Sequence, residues 1–238
     1  MIKEKLERVR DRIAQAARSA GRDPAGVTLV CVTKGVPVDR IQEAIACGVT
    51  EIGENRVQEA QGKWISLRYD VPKAPSVRRT DLKWHLIGHL QRNKAKLAVE
   101  LFDWIHSVDS TELVEMLERQ AAERKPGRPL LKVLIEVNVS GEATKHGCRP
   151  EETRGLAEAI QKGEHLEWKG LMTMAPFSED PEASRPVFRR LRELRDALER
   201  ELGVRLDLSM GMSQDYEVAV QEGATLVRVG TAVFGEGK

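Results

Sequence analysis

Lys34 closes the apolar run Val27 to Thr33 and is followed by Gly35. A lysine ending such a strand has its stem in hydrocarbon and its amine where water is scarce, and desolvation there favours the neutral, nucleophilic form that condenses with a carbonyl. The alternative is a lysine that snorkels to solvent. Arg228 stands between Val227 and Val229, so on a buried strand its guanidinium needs a partner, either a carboxylate such as Asp207 or Glu136 or a ligand. Ser209, Met210, Gly211, Met212 and Ser213 follow the run Leu206 to Leu208, and Gly230 with Thr231 follows Val229. Ser213 is placed to cap a helix from Gln214, and Gly230 with Thr231 can bring backbone N–H groups close to an anion. Taken singly, each is also ordinary turn chemistry. As a set, a strand-end amine, an anion cradle and an inward arginine fit a phosphorylated aldehyde; pyridoxal 5′-phosphate and a phosphosugar both qualify.

Elements of two kinds must position these residues. An amphipathic helix opens the chain from about Ile2 to Ser19, with Leu6, Val9, Ile13 and Ala17 along one face, and Gly21 and Pro24 end it. Eight short β-branched runs follow: Val27 to Thr33, Thr50 to Gly53, Trp84 to Gly88, Trp104 to Val108, Leu130 to Val139, Trp168 to Met174, Leu206 to Leu208 and Thr225 to Val229. Charged segments of helical period separate them, near Val38 to Cys47, Asn55 to Leu67, Asn93 to Val99, Ser110 to Arg124, Pro150 to Gln161, Glu182 to Leu202 and Gln214 to Gln221. Strands apolar on both faces and joined by helices imply a parallel sheet covered on its outside. The expected fold is therefore α/β: a single (β/α)8 TIM barrel over residues 1–238 with an extra N-terminal helix. An open doubly wound sheet is the runner-up, but no Gly-x-Gly-x-x-Gly follows the first strand. The segment 68–81, with Pro72 and Pro75, reads as an exposed loop before strand three. In such a barrel chemistry belongs at the carboxyl ends of the strands, where Lys34, Asn55, Ser209, Met212, Ser213, Arg228, Gly230 and Thr231 all fall.

Composition removes several classes of partner. The 38 basic and 37 acidic side chains leave a formal charge of +1, so no global field favours nucleic acid or an anionic membrane. No stretch approaches the ~20 apolar residues of a membrane span, and the charged amino terminus lacks a signal peptide's apolar region, so a cytoplasmic protein is expected. Three cysteines, Cys31, Cys47 and Cys148, make no Cys-x-x-Cys pair and read as reduced thiols. Five scattered histidines include one pair four apart, His85 and His89, on a strand and its exit, and no metal site is expected from that spacing.

Matching runs along nearly the whole chain carry a family resemblance: Val30 to Lys34; Gly53, Glu54 and Asn55 with Gln58 and Glu59; Trp84 to Gly88 with Leu90, Gln91, Asn93 and Lys94; Glu136 to Asn138 with Lys145 and Gly147; Gly170 to Met172 with Met174; Leu208 to Ser213 with Asp215; and Arg228, Gly230, Thr231, Phe234 and Gly235. On these residues the sequence resembles the pyridoxal phosphate homeostasis proteins, also called the alanine racemase amino-terminal-domain-like or proline synthase co-transcribed group. The resemblance implies a monomeric or weakly associating barrel with pyridoxal 5′-phosphate as an internal aldimine on Lys34. It implies phosphate contacts from Ser213, Gly230 and Thr231, ring contacts near Asn55 and Met212, Ser209 among the cofactor-binding residues, and Arg228 facing the pyridine nitrogen. An arginine there disfavours a protonated ring nitrogen and weakens the cofactor as an electron sink. The implied role is to hold and deliver the cofactor, with pyridoxal-phosphate-dependent apo-enzymes as recipients and no catalytic residue of its own. A weak amino-acid racemase and a Schiff-base aldolase acting on a phosphosugar are the alternatives. True alanine racemases add a β-rich domain and a tyrosine as second base, whereas three residues follow Gly235 here and the tyrosines are Tyr69 and Tyr216. The 68–81 loop is longer than is usual for the group.

Overall fold

The computed structural model describes residues 1–69, 81–124, 127–142 and 145–235. Eight parallel strands close into a ring in sequence order: β1 (Thr28–Val32), β2 (Glu51–Glu54), β3 (Lys83–Leu86), β4 (Trp104–Val108), β5 (Leu131–Glu136), β6 (Leu166–Met172), β7 (Asp207–Ser209) and β8 (Leu226–Val229). Closure is made by β1 on β8, with Val30 opposite Arg228 and Cys31 opposite Val229. The expected barrel is thus the observed one. The outer layer consists of α2 (Val38–Ala46), α3 (Val57–Tyr69), α4 (Ala95–Leu101), α5 (Thr111–Ala122), α6 (Thr153–Gln161), α7 (Arg185–Leu202) and α8 (Tyr216–Gln221). Each returns the chain to the starting edge of the sheet, as parallel pairing demands.

The leading helix α1 (Ile2–Ser19) buries Ile2, Leu6, Val9, Ile13, Ala16 and Ala17, the i, i+3, i+4 stripe visible in its sequence. It lies over the seam where the ring closes, packing on α2, α8 and the short helix α9 (Thr231–Phe234). Just beyond it, Arg22 donates to the carbonyls of Val220 and, at 2.8 Å, Ala224, tying the start of the chain to the turn before β8. No described helix is long and apolar enough to cross a membrane.

Sequence and structure differ at element ends. Strand five stops at Glu136 instead of Val139 because Asn138 turns its side chain to the following loop, where its Nδ2 donates to Glu142 O at 2.8 Å and its Oδ1 accepts from Gly141 N at 3.0 Å. The helix expected from Gln214 begins at Tyr216, and α9 was not foreseen. Most of the loop expected over 68–81 lies outside the described residues; α3 itself runs to Tyr69.

Candidate functional site

The carboxyl-terminal mouth gathers most of the residues singled out by the sequence. At the end of β1 a turn closes with Val36 N donating to Thr33 O at 2.9 Å, and Gly35 takes a left-handed φ of +68° that a side chain would resist. This turn swings Lys34 outward. The sheltered amine expected from the sequence is not observed: Lys34 is exposed at the rim and makes no ion pair or hydrogen bond with a described residue.

Shelter belongs instead to a second lysine that sequence reasoning missed. Lys63 of α3 is buried, and its Nζ donates to Thr33 O at 2.5 Å, Glu54 Oε1 at 2.8 Å and Glu59 Oε1 at 2.6 Å. Glu59 Oε1 also accepts from Gly35 N at 2.6 Å, so the backbone on both sides of Lys34 is pinned by one cluster. Glu54 is wholly buried. Burial pushes its carboxyl up from the usual range, and hydrogen bonds from Lys63 and Thr33 oppose that shift. The Glu59–Lys63 spacing of four on a helix was the available signal.

Inside the ring, Arg228 is 3% exposed. Of the two alternatives for its partner, the carboxylate is not in contact: Nη1 donates to Ser209 Oγ at 2.6 Å and Nη2 to Thr173 O at 3.0 Å, and no described carboxylate pairs with it. Burial pushes Arg228 down to about 10, with Glu136 and Asp215 acting in the opposite direction, so it stays cationic at neutral pH. Ser209 carries the interaction onward. Its Oγ lies 2.9 Å from His106 Nδ1, His106 Nε2 lies 2.9 Å from His85 Nδ1, and His85 Nε2 lies 2.7 Å from Glu51 Oε2. Because β4 and β7 are not neighbours in the ring, the Ser209–His106 bond crosses the lumen.

The direction of this chain follows from its ends. A guanidinium only donates, so the Ser209 hydroxyl accepts from Arg228 and has His106 Nδ1 as its acceptor among the described residues. His106 is then the neutral Nε2–H tautomer, donating to His85, whose own Nε2–H donates to the Glu51 carboxylate. Burial, together with the fields of His85 and Arg228, holds His106 well below the ordinary histidine range, in keeping with a neutral ring.

The loops after β7 and β8 meet above Arg228. Ser213 does not cap α8, since Asp215 holds the N-cap position and its Oδ1 accepts from Met212 N at 2.7 Å. Ser213 Oγ instead accepts from Gly230 N at 3.2 Å and Ala232 N at 3.4 Å. A Cβ on Gly230 would stand 3.2 Å from both Val32 Cβ and Val32 O, so any larger residue would have to push this loop a few tenths of an ångström away from the end of β1, two residues before Lys34. Thr231 is exposed at the start of α9, Met212 is 38% exposed, and Asn55 is half-buried just past β2. Ser209, the remaining sequence candidate, is fully buried beneath Arg228.

Three expectations follow. Lys63→Met leaves Glu54 buried without its cation and should destabilise the fold by about 3–5 kcal/mol in urea melts, with Lys63→Met/Glu54→Gln recovering part of the loss. Long-range 1H–15N spectra should show both His85 and His106 as Nε2–H tautomers; a protonated Nδ1 on His106 would break the assigned chain. Glu136, at the end of β5, is pushed up to about 7 by burial and by Asp109, with Arg228 opposing. Its folded value exceeds its ordinary 4.5, so the folded state binds the extra proton between these values. The associated stability is present below about pH 4.5 and is lost as pH rises through 7, on the order of 3 kcal/mol. Glu136→Gln should therefore gain on the wild type between pH 5 and pH 8, and an equal difference at both would contradict the assignment.

Residues 5–237 match the family described as "Alanine racemase, N-terminal domain". The pyridoxal phosphate homeostasis protein of Pseudomonas aeruginosa is 45% identical over 234 residues, covering 98% of this chain and 95% of the relative. That of Aquifex aeolicus is 44% identical over 236 residues, covering 99% and 98%. Among solved structures, PipY of Synechococcus elongatus with pyridoxal phosphate bound superposes with a TM-score of 0.81 at 38% identity, covering 99% of this chain and all of that one. With a closed barrel, Lys34 at its rim, Arg228 in its lumen and this degree of likeness end to end, the chain belongs to the pyridoxal phosphate homeostasis protein family.

Proposed function

We propose that this protein binds pyridoxal 5′-phosphate at the carboxyl-terminal mouth through Lys34 and holds it for delivery to apo-enzymes in the cytoplasm, as a single-domain monomer without turnover of its own. The observation that carries this reading is the β1–β8 seam. One line of closure brings the exposed Lys34 amine, the Gly230 and Ala232 amides gathered on Ser213, and the buried Arg228 guanidinium to one side of one opening.

The donor set fits the group. Its phosphoryl oxygens would be held by the Ser213 hydroxyl, which accepts from the amides of Gly230 and Ala232 and keeps its own proton to donate, and by Thr231 at the start of α9; Asn55 and the exposed Met212 would contact its ring. Arg228 spends two N–H bonds on Ser209 and Thr173 and has others to offer a ring nitrogen. A cationic arginine donates there, so that nitrogen accepts and stays unprotonated. When bound, the cofactor supplies an aldehyde that condenses with a primary amine. Lys34 provides that amine, while the Lys63 cluster fixes the backbone under it. Ser209 acts on the cofactor through Arg228, as a positioning residue.

Holding without turnover is supported by the placement of Tyr216. This tyrosine is buried on α8, pushed up by burial, and engages Arg12 of α1 outside the ring, so it does not serve as a base at the mouth. The protein as purified should absorb in the visible, and borohydride should bleach that band and leave the label on Lys34. Lys34→Ala should melt like the wild type, because the side chain is exposed, and should lose the band. A retained, reducible band in Lys34→Ala would overturn the assignment.

A further inference from the structure

Across the mouth from Lys34, the loops after β3, β4 and β5 bring together His89, Asp109 and His146, and we infer that these three form a binding site for a divalent ion of the zinc class. Asp109 follows β4 directly, His89 lies three residues past β3, and His146 stands in the loop beyond β5. One ligand atom from each side chain lies within 4.8 Å of the other two. The two imidazoles stack with centroids 4.2 Å apart and planes 11° from parallel. His89 Nδ1 is 3.7 Å from Asp109 Oδ2, too long for a hydrogen bond, and no described residue hydrogen-bonds to the His146 ring. Three ligand-bearing side chains from three loops therefore converge without satisfying one another.

The donor set selects the ion. Two imidazoles and a carboxylate suit zinc and its transition-metal neighbours, whereas calcium and magnesium take oxygen ligands throughout. Zinc bonds of about 2.0–2.1 Å place ligands roughly 3.3 Å apart around a tetrahedral centre. Ligand atoms that lie within 4.8 Å of one another exceed that by no more than about 1.5 Å, a gap that rotation of His89 and His146 can close because both are exposed. Three protein ligands leave a fourth position, beside a cavity of about 360 Å³ that His89 and Asp109 line with Arg92 and Ser110. His85, the sequence neighbour that suggested a pair with His89, takes no part, being committed to the lumen. The site does not depend on what Lys34 binds.

Calorimetric titration of the full-length protein as purified with zinc chloride tests this assignment. One equivalent should bind; His89→Ala and His146→Ala should each weaken binding at least tenfold, and Asp109→Asn, which keeps the shape and removes the charge, should weaken it too. In the absence of zinc the two histidine variants should melt with the wild type. Either of two results overturns the inference: no binding to the wild type, or equal uptake by the wild type and the His89→Ala/His146→Ala double variant, which would place the zinc at Cys47 or on the bound cofactor.

Discussion

The pairing of the first strand with the last is the constraint on which the rest of this structure depends. Val30 opposite Arg228 and Cys31 opposite Val229 set both the face and the height of every group on the seam. Side chains alternate along a strand, so a slip of one residue would turn Arg228 out toward the helices and bring Val227 or Val229 into the lumen. The same register puts Gly230 against Val32, two residues before Lys34. Chain ends that are remote in sequence thereby become the two walls of one site, and α1 with Arg22 covers the join from outside.

Closing the ring creates a problem that the interior solves in an unusual way. A buried guanidinium without an adjacent carboxylate is costly, since burying a charge is tolerable only when it is compensated and hydrogen-bonded. Here compensation is spread along neutral groups. Ser209, His106 and His85 are each oriented by the donor before them, and the chain ends on Glu51 at the opposite end of the barrel. No intermediate member need carry charge, which spares the lumen a desolvated ion pair. Hydrogen bonds in such a chain polarise one another at low dielectric, so the orientation of Arg228 is held by groups spanning the barrel from mouth to base.

The fold was legible because each unit states itself locally: an apolar β-branched run, then a segment of helical period, eight times over. Lys34, Ser213, Arg228 and Gly230 were legible for a related reason, as polar or glycine residues at the ends of such runs. What escaped was set by geometry around the ring. Nothing in the spacing of His85, His106 and Ser209 says that the neighbouring strands β3 and β4 face β7 across a lumen. Lys63 shows in sequence only as an ordinary i, i+4 partner of Glu59, and only the fold carries the pair under the Lys34 turn. The misplacement of Lys34 itself came from treating the strand end as a burial boundary, when the Thr33–Val36 turn projects the next side chain into solvent. Ser213 was misread as a cap because the chain runs two residues further before α8 begins, with Asp215 at the N-cap position, and the Ser213 hydroxyl turns instead to the amides of Gly230 and Ala232.

The mouth divides electrostatically into two sides. Lys34 and Arg228 put positive charge on the seam side, whereas Asp109 puts a carboxylate on the far side beside His89 and His146. Glu136 lies between these fields, raised by Asp109 and lowered by Arg228. Glu136 is thus set from both sides of the opening: burial and Asp109 favour its protonated form, and Arg228 favours its charged one.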